Sequence, residues 1–160
     1  MIMGIAKRLE DYLDHNGVQR EVVQHRPTYG AMATAQAAHV PGDKLAKAVL
    51  LHDRDGKDYV LAVVPSTHRV EVDTLQEELG RPLALATEDE LMRVFPDCDR
   101  GSVPPLGTAY GVFTVVDDSV TRLSDVYFDG GDHTDLVHMK TEDFRRVLPD
   151  ARYGRFSHHV

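Results

Sequence analysis

The chain predicts an α+β fold: a mixed, largely antiparallel sheet, curled or closed into a barrel, with flanking helices. Three observations carry that reading. Two apolar, β-prone runs, Ala46 to His52 and Tyr59 to Val64, stand on either side of Arg54-Asp55-Gly56-Lys57, and an Asp-Gly pair between such runs signals a hairpin. Helical spacing recurs early, midway and late, without the regular strand-helix alternation of a doubly wound fold. No internal repeat, low-complexity stretch or linker divides the 160 residues, so 1–160 reads as a single domain.

The elements follow in order. Ile5, Leu9, Tyr12 and Leu13 recur at helical spacing, and Gly17 supplies a C-terminal stop. A strand is expected at about Arg20 to Gln24. Met32 to His39 is alanine-rich and ends at Pro41-Gly42, which predicts a short helix and a turn. After the central hairpin, Val72 to Leu79 reads as a helix opened by Asp73, and Leu83 to Ala86 as a strand. Thr87-Glu88-Asp89-Glu90 has the form of a capping box for a helix running to about Phe95, where Pro96 ends it. Tyr110 to Val116, Asp125 to Phe128 and Leu136 to Met139 read as strands, and Thr141 as the cap of a last helix through Leu148. Residues 151–160, with His158 and His159, are expected to form a mobile tail.

Composition narrows the function. No window approaches the run of about 18 apolar residues that a membrane helix needs, which argues against a membrane protein. The start of the chain lacks the order of a signal peptide, and Cys98 is the only cysteine; both fit a reducing, cytoplasmic setting. A net charge of −8 argues against a general nucleic-acid coating protein, DNA included, and leaves only local contact with the end of an RNA strand.

Three features could carry chemistry. Lys47 sits in the most apolar strand, where an ammonium either snorkels to solvent or points into a pocket that wants a cation; taken alone, snorkelling is the first reading. Gly101-Ser102-Val103-Pro104-Pro105-Leu106-Gly107 is a loop stiffened by two prolines, whose free backbone N–H groups could hold an oxyanion or a phosphate; taken alone, it reads first as a stiff connector. The stretch from Asp129 to Asp135, with His138 beyond it, mixes glycine with potential ligands. Its spacing matches neither a calcium loop nor a helical His pair, so a turn is the first reading. Cys98, between two aspartates, has no cationic neighbour in sequence to activate it.

In this order, His25-Arg26-Pro27, Lys47-Ala48-Val49-Leu50-Leu51, the Gly101 to Gly107 loop and Val126-Tyr127-Phe128-Asp129-Gly130-Gly131 resemble the YbaK and prolyl-tRNA synthetase-associated domain family. The resemblance spans nearly the whole chain and implies that family's barrel-like mixed sheet. It also implies a trans-editing enzyme that hydrolyses the ester joining a wrong amino acid to the 3′ end of tRNA, such as alanine or cysteine on a tRNA for proline. It implies no metal and no cofactor, with aminoacyl-tRNA as substrate and an aminoacyl-tRNA synthetase as a further candidate partner.

Carried over residue by residue, the resemblance gives catalytic roles to Lys47 and Gly101. Substrate contact falls to Ser102, Val103, Pro105, Gly107, His25, Asp129, Gly131 and His133. Two positions depart from the pattern: Ala48 stands where many members carry Thr or Asn, and Asp129 where some carry a small hydroxyl residue. Two other readings stay open on the residues alone. One is a non-catalytic module that binds charged tRNA ends or amino acids; the other is a metal-dependent hydrolase built on Asp129, Asp132, His133, Asp135 and His138.

Overall fold

The structure, a computed structural model, describes residues 4–55 and 58–160. In chain order it contains α1 (Lys7–His15), β1 (Glu21–Gln24), α2 (Ala31–Ala38), β2 (Leu45–Asp53), β3 (Tyr59–Pro65), β4 (His68–Val70) and α3 (Val72–Leu79). There follow β5 (Leu83–Leu85), α4 (Glu88–Val94), β6 (Phe113–Asp117), α5 (Asp118–Thr121), β7 (Asp125–Asp129), β8 (Asp135–Lys140), α6 (Thr141–Arg146), β9 (Arg152–Gly154) and β10 (Ser157–His159). Gly56 and Lys57, the centre of the expected hairpin turn, lie outside the described residues. The strands flanking them, β2 and β3, pair antiparallel from Ala46 with Pro65 to His52 with Tyr59.

One sheet runs β1-β8-β7-β2-β3-β6-β9, with β5 attached to β2, while β4 and β10 form a separate antiparallel pair. Parallel pairing joins β2 to β7, β3 to β6 and β6 to β9, and the other contacts in this sheet are antiparallel. The α+β class with a mixed sheet is therefore the observed one. Its centre is buried on both faces, which explains why β3 reads as an unbroken apolar run and not as an alternating one. Leu9 and Leu13 of α1 and Phe144 of α6 cover one face, against Ala46, Leu50, Leu61, Val126 and Phe128. Leu75 of α3 and Phe156 cover the other, against Leu51, Val60, Ala62 and Val64.

The capping box at Thr87 is formed in full: the Glu90 N–H donates to Thr87 Oγ1 at 3.1 Å, and the Thr87 N–H donates to Glu90 Oε1 at 3.0 Å. Other expectations are corrected. Asp73 lies inside the first turn of α3, whose N-cap is Glu71 without a side-chain bond. Thr141 is the first helical residue and not the cap; Lys140 precedes it, and the Thr141 hydroxyl is buried without a partner among the described residues. The strand expected from Tyr110 begins at Phe113, because 107–110 form a 3-10 turn. The tail expected at 151–160 is part of the fold. Phe156 is fully buried, its N–H donates to Asp117 Oδ1 at 2.8 Å, and its carbonyl accepts from the Glu71 N–H at 2.7 Å, so β9 and β10 are anchored on either side of it.

Candidate active site

The site begins with a break in the sheet. The Ser66 N–H donates to the Leu45 carbonyl at 2.7 Å, and the Ala86 N–H donates to the Leu50 carbonyl at 3.0 Å. Along β2 the odd-numbered residues thus turn their backbone groups toward β3, and the even-numbered ones toward β7 and β5. Pairing with β7 stops at Ala46 with Phe128, and pairing with β5 starts at Leu51 with Leu85. The N–H and C=O of Ala48 therefore face a gap between two strands. Continuing the parallel register one step past its last pair sets Lys47 level with Asp129 on the same face of the sheet.

A cleft of about 230 Å³ occupies this gap, lined by Ala31, Lys47, Ala48, Glu88, Leu91, Gly101, Val103 and Asp129. Lys47 is half-buried and has no hydrogen-bond or ion-pair partner among the described residues. Burial, with repulsion from Arg69 second, holds its ammonium below the usual lysine range. Opposite it, the Asp129 carboxyl lies deep although the residue is partly open to the cleft. Burial pushes its pKa up to about 6, against the favourable charges of His133 and His25 and a hydrogen bond from the Ser102 hydroxyl; Asp132 adds a smaller repulsion.

The loop that closes the cleft is fixed by its neighbours. The Asp99 N–H donates to the Gly131 carbonyl at 2.8 Å, the Ser102 N–H to the Asp99 carbonyl at 3.1 Å, and the His133 N–H to Ser102 Oγ at 3.0 Å. Gly101 takes φ +77°, a left-handed conformation that L side chains rarely adopt. A Cβ there would lie 3.5 Å from His133 Cε1, so the imidazole stands directly behind this glycine. His133 itself has φ 66°, a rare backbone state for a residue with a side chain. Its ring lies 4.7 Å from that of Tyr29, which is 77% exposed. The two rings, with Pro27, Asp99, Arg100 and Asp132, line a second hollow of about 330 Å³ beside the first.

Of the residues expected from sequence, the structure brings Lys47, Gly101, Val103 and Asp129 to one cleft and places His133 at its neighbour. Ser102 is fully buried behind the cleft, where it ties Asp129 to the His133 backbone. The His25 Nδ1–H donates to the Arg26 carbonyl at 2.7 Å, and its Nε2 is buried without a partner among the described residues. Pro105, Gly107 and Gly131 do not line the cleft. Pro105 is buried; at Gly107 a Cβ would collide with Thr114 Oγ1 and the Val112 carbonyl, and at Gly131 it would press on Ala6 and Cys98. These glycines permit close packing of the walls.

The stretch from Asp129 to Asp135 does not converge on a metal. Asp132 accepts from the N–H groups of Gly4, Thr134 and Asp135 and from the Thr134 hydroxyl, while His138 bonds Glu21 and Asp125 instead. Among the described residues no three His, Cys, Asp or Glu side chains are placed to hold a metal ion. Cys98 is buried and its thiol is pushed up to about 12 by burial, which excludes it as a thiolate nucleophile at neutral pH. Sequence reading missed Ala31, Glu88 and Leu91 in the cleft and Tyr29 and Arg100 in the hollow. For Glu88 and Leu91 a signal existed, since the capping box fixes which residues open α4.

Residues 25–147 match the family model for the aminoacyl-tRNA editing domain. The chain belongs to that family. Solved structures agree on the fold. The hypothetical protein APE2540 superposes with a TM-score of 0.84 at 20% identity, over 95% of this chain and 100% of that one. A candidate trans-editing enzyme for prolyl tRNA synthetase superposes with a TM-score of 0.84 at 21% identity, over 99% of both chains. A candidate signal transduction protein from Marinobacter aquaeolei VT8 gives 0.76 at 23% identity, over 94% of this chain and 30% of that one. No curated protein matches the chain. Among the described residues no helix of this editing-domain protein is long and apolar enough to cross a membrane.

Proposed function

We propose that this editing domain hydrolyses the ester that joins an amino acid to the 3′ end of tRNA. The observation that carries the proposal is a half-buried Lys47 ammonium, unpaired among the described residues, in a cleft of about 230 Å³ walled by Gly101 and Asp129. A lysine kept from water without a partner stabilises negative charge that arrives later, and it does so more strongly than it would in bulk solvent. The volume suits a small aminoacyl group and one water of about 30 Å³.

In this reading the ester carbonyl lies against the gap in β2. Water attacks its carbon, and the oxygen that becomes negative is met by the Lys47 ammonium and the free Ala48 N–H. Collapse breaks the bond to the ribose oxygen, which takes up the proton that the water releases. An aminoacyl ester is already activated, so positioning and oxyanion stabilisation suffice without a strong protein base. The adjoining hollow takes the terminal adenosine, with the base on Tyr29 and Arg100 beside it, as single-stranded RNA ends are bound elsewhere by aromatic and guanidinium planes.

Small size excludes large side chains by overlap and separates small ones poorly. Alanine or cysteine on a tRNA for proline are the first substrates to try, a choice supported by the similarity to the candidate enzyme for prolyl tRNA synthetase. Purified protein is expected to release amino acid from at least one mischarged tRNA, and Lys47→Ala to slow release by about 100-fold or more at unchanged fold. Release undiminished in Lys47→Ala would remove the role given to this lysine. Binding of charged ends without release across a full panel would make the domain a recognition module.

A further inference from the structure

Two carboxylates line the cleft and the hydrolytic step uses neither: Glu88, which is exposed to solvent, and Asp129, which lies deep beside Lys47. Its carboxylate has no ion-pair partner among the described residues, and the one side-chain bond it receives comes from Ser102. Ser102 Oγ itself accepts from the His133 N–H at 3.0 Å. A deep carboxylate with most of its lone pairs unmet is costly to fold and calls for a cation from outside. His25 is near enough to act on Asp129, though it lines neither hollow. Its Nδ1 is engaged by the Arg26 carbonyl, and its Nε2 is buried without a hydrogen-bond partner among the described residues.

Resting on the hydrolase reading above, we infer that Asp129 binds the α-ammonium of the aminoacyl group, and that the site is therefore specific for esters with a free amino end. A primary ammonium is compact, positively charged and carries three donors, and here it meets a carboxylate lined up across the cleft from Lys47. In an α-amino ester the ammonium carbon is bonded to the reacting carbonyl carbon. Seating the nitrogen on Asp129 thus turns the carbonyl toward β2, where Lys47 and the Ala48 N–H stand. An N-acylated aminoacyl group, or the end of a peptide on tRNA, has an uncharged amide at that position. It would leave Asp129 charged, dry and without a counter-ion. Such substrates are rejected by charge.

The test compares alanyl-tRNA with N-acetylalanyl-tRNA on the wild-type chain, Asp129→Asn and Asp129→Ser, each checked for an intact thermal transition. Wild type is expected to prefer the free amine by about 100-fold or more in kcat/KM. In both variants the preference should shrink to within about 5-fold, mainly through a higher KM for alanyl-tRNA. Equal rates on the two substrates in wild type, or full discrimination retained in both variants, would overturn the inference. If wild type hydrolyses neither, the hydrolase reading fails separately. Calorimetry with 3′-amide-linked alanyl-adenosine and its N-acetyl form then decides the role of Asp129. A preference of tenfold or more that Asp129→Asn abolishes upholds it, and equal binding of the two forms overturns it.

Discussion

Removing the charge of Asp129 relieves a cost of folding, and the pH at which it does so follows from the direction of its pKa. A carboxyl raised to about 6 in the folded chain binds its proton more tightly than in the unfolded chain. Its contribution to stability is full below the ordinary aspartate value and is lost as pH rises through about 6. Asp129→Asn should therefore gain about 2 kcal/mol over wild type at pH 7.5, with the gain fading below roughly pH 4. Activity moves the opposite way. With Ser102, His133, His25 and Asp132 around the carboxyl and Lys47 across the cleft, wild-type kcat/KM should fall on acidification through about pH 6. That limb should be missing in Asp129→Asn, and its survival there would assign it to another group. Lys47 and the Gly101 loop stand out locally, as a lysine in an apolar strand and a Gly-Pro loop, but each alone read first as snorkelling or as a connector, and only the family resemblance made them site candidates. The solitude of Asp129 was not legible, because it depends on where the parallel pairing of β2 and β7 stops.

At the scale of elements, the chain positions its site by interrupting a sheet, and strand identity alone does not reveal such an interruption. The β2 and β3 runs and the Thr87 box could be read because each signal is contained within a few residues. Asp73 and Thr141 misled, since an acidic or hydroxyl residue at the second or first helical position looks like a cap one or two residues away. The segment from Pro27 to Gly30, which leads into α2, looks like plain turn chemistry, yet it presents Tyr29 against His133. If this ring carries the terminal base, Tyr29→Ala removes a stacking contact worth about 1–3 kcal/mol. KM for a charged tRNA should then rise about tenfold with kcat nearly unchanged, whereas Tyr29→Phe should behave as wild type. A fall in kcat with KM unchanged would place Tyr29 in the chemistry and not in binding.

Two forces act on the whole molecule. One is closure: three-residue strands such as β9 and β10 carry too little periodicity to be read, and they exist because Phe156 fills the second apolar cluster between them. Phe156→Ala should cost about 3–5 kcal/mol and lower the thermal midpoint, without changing the preference between amino acids. The other is long-range charge. With a net charge of −8, a body of tRNA laid along this surface meets repulsion, so attraction must come from the few groups around the two hollows. If only one or two phosphates near the 3′ end are neutralised, log affinity falls with log salt at a slope of about −0.7 to −1.5. Raising salt from 50 to 200 mM should then weaken binding of a charged acceptor-stem RNA by less than about tenfold, and screening of the repulsion reduces that further. A slope steeper than about −4 would require a broad cationic face. In that case tRNA would be held by its body, and the cleft at Lys47 would read an end that other contacts deliver.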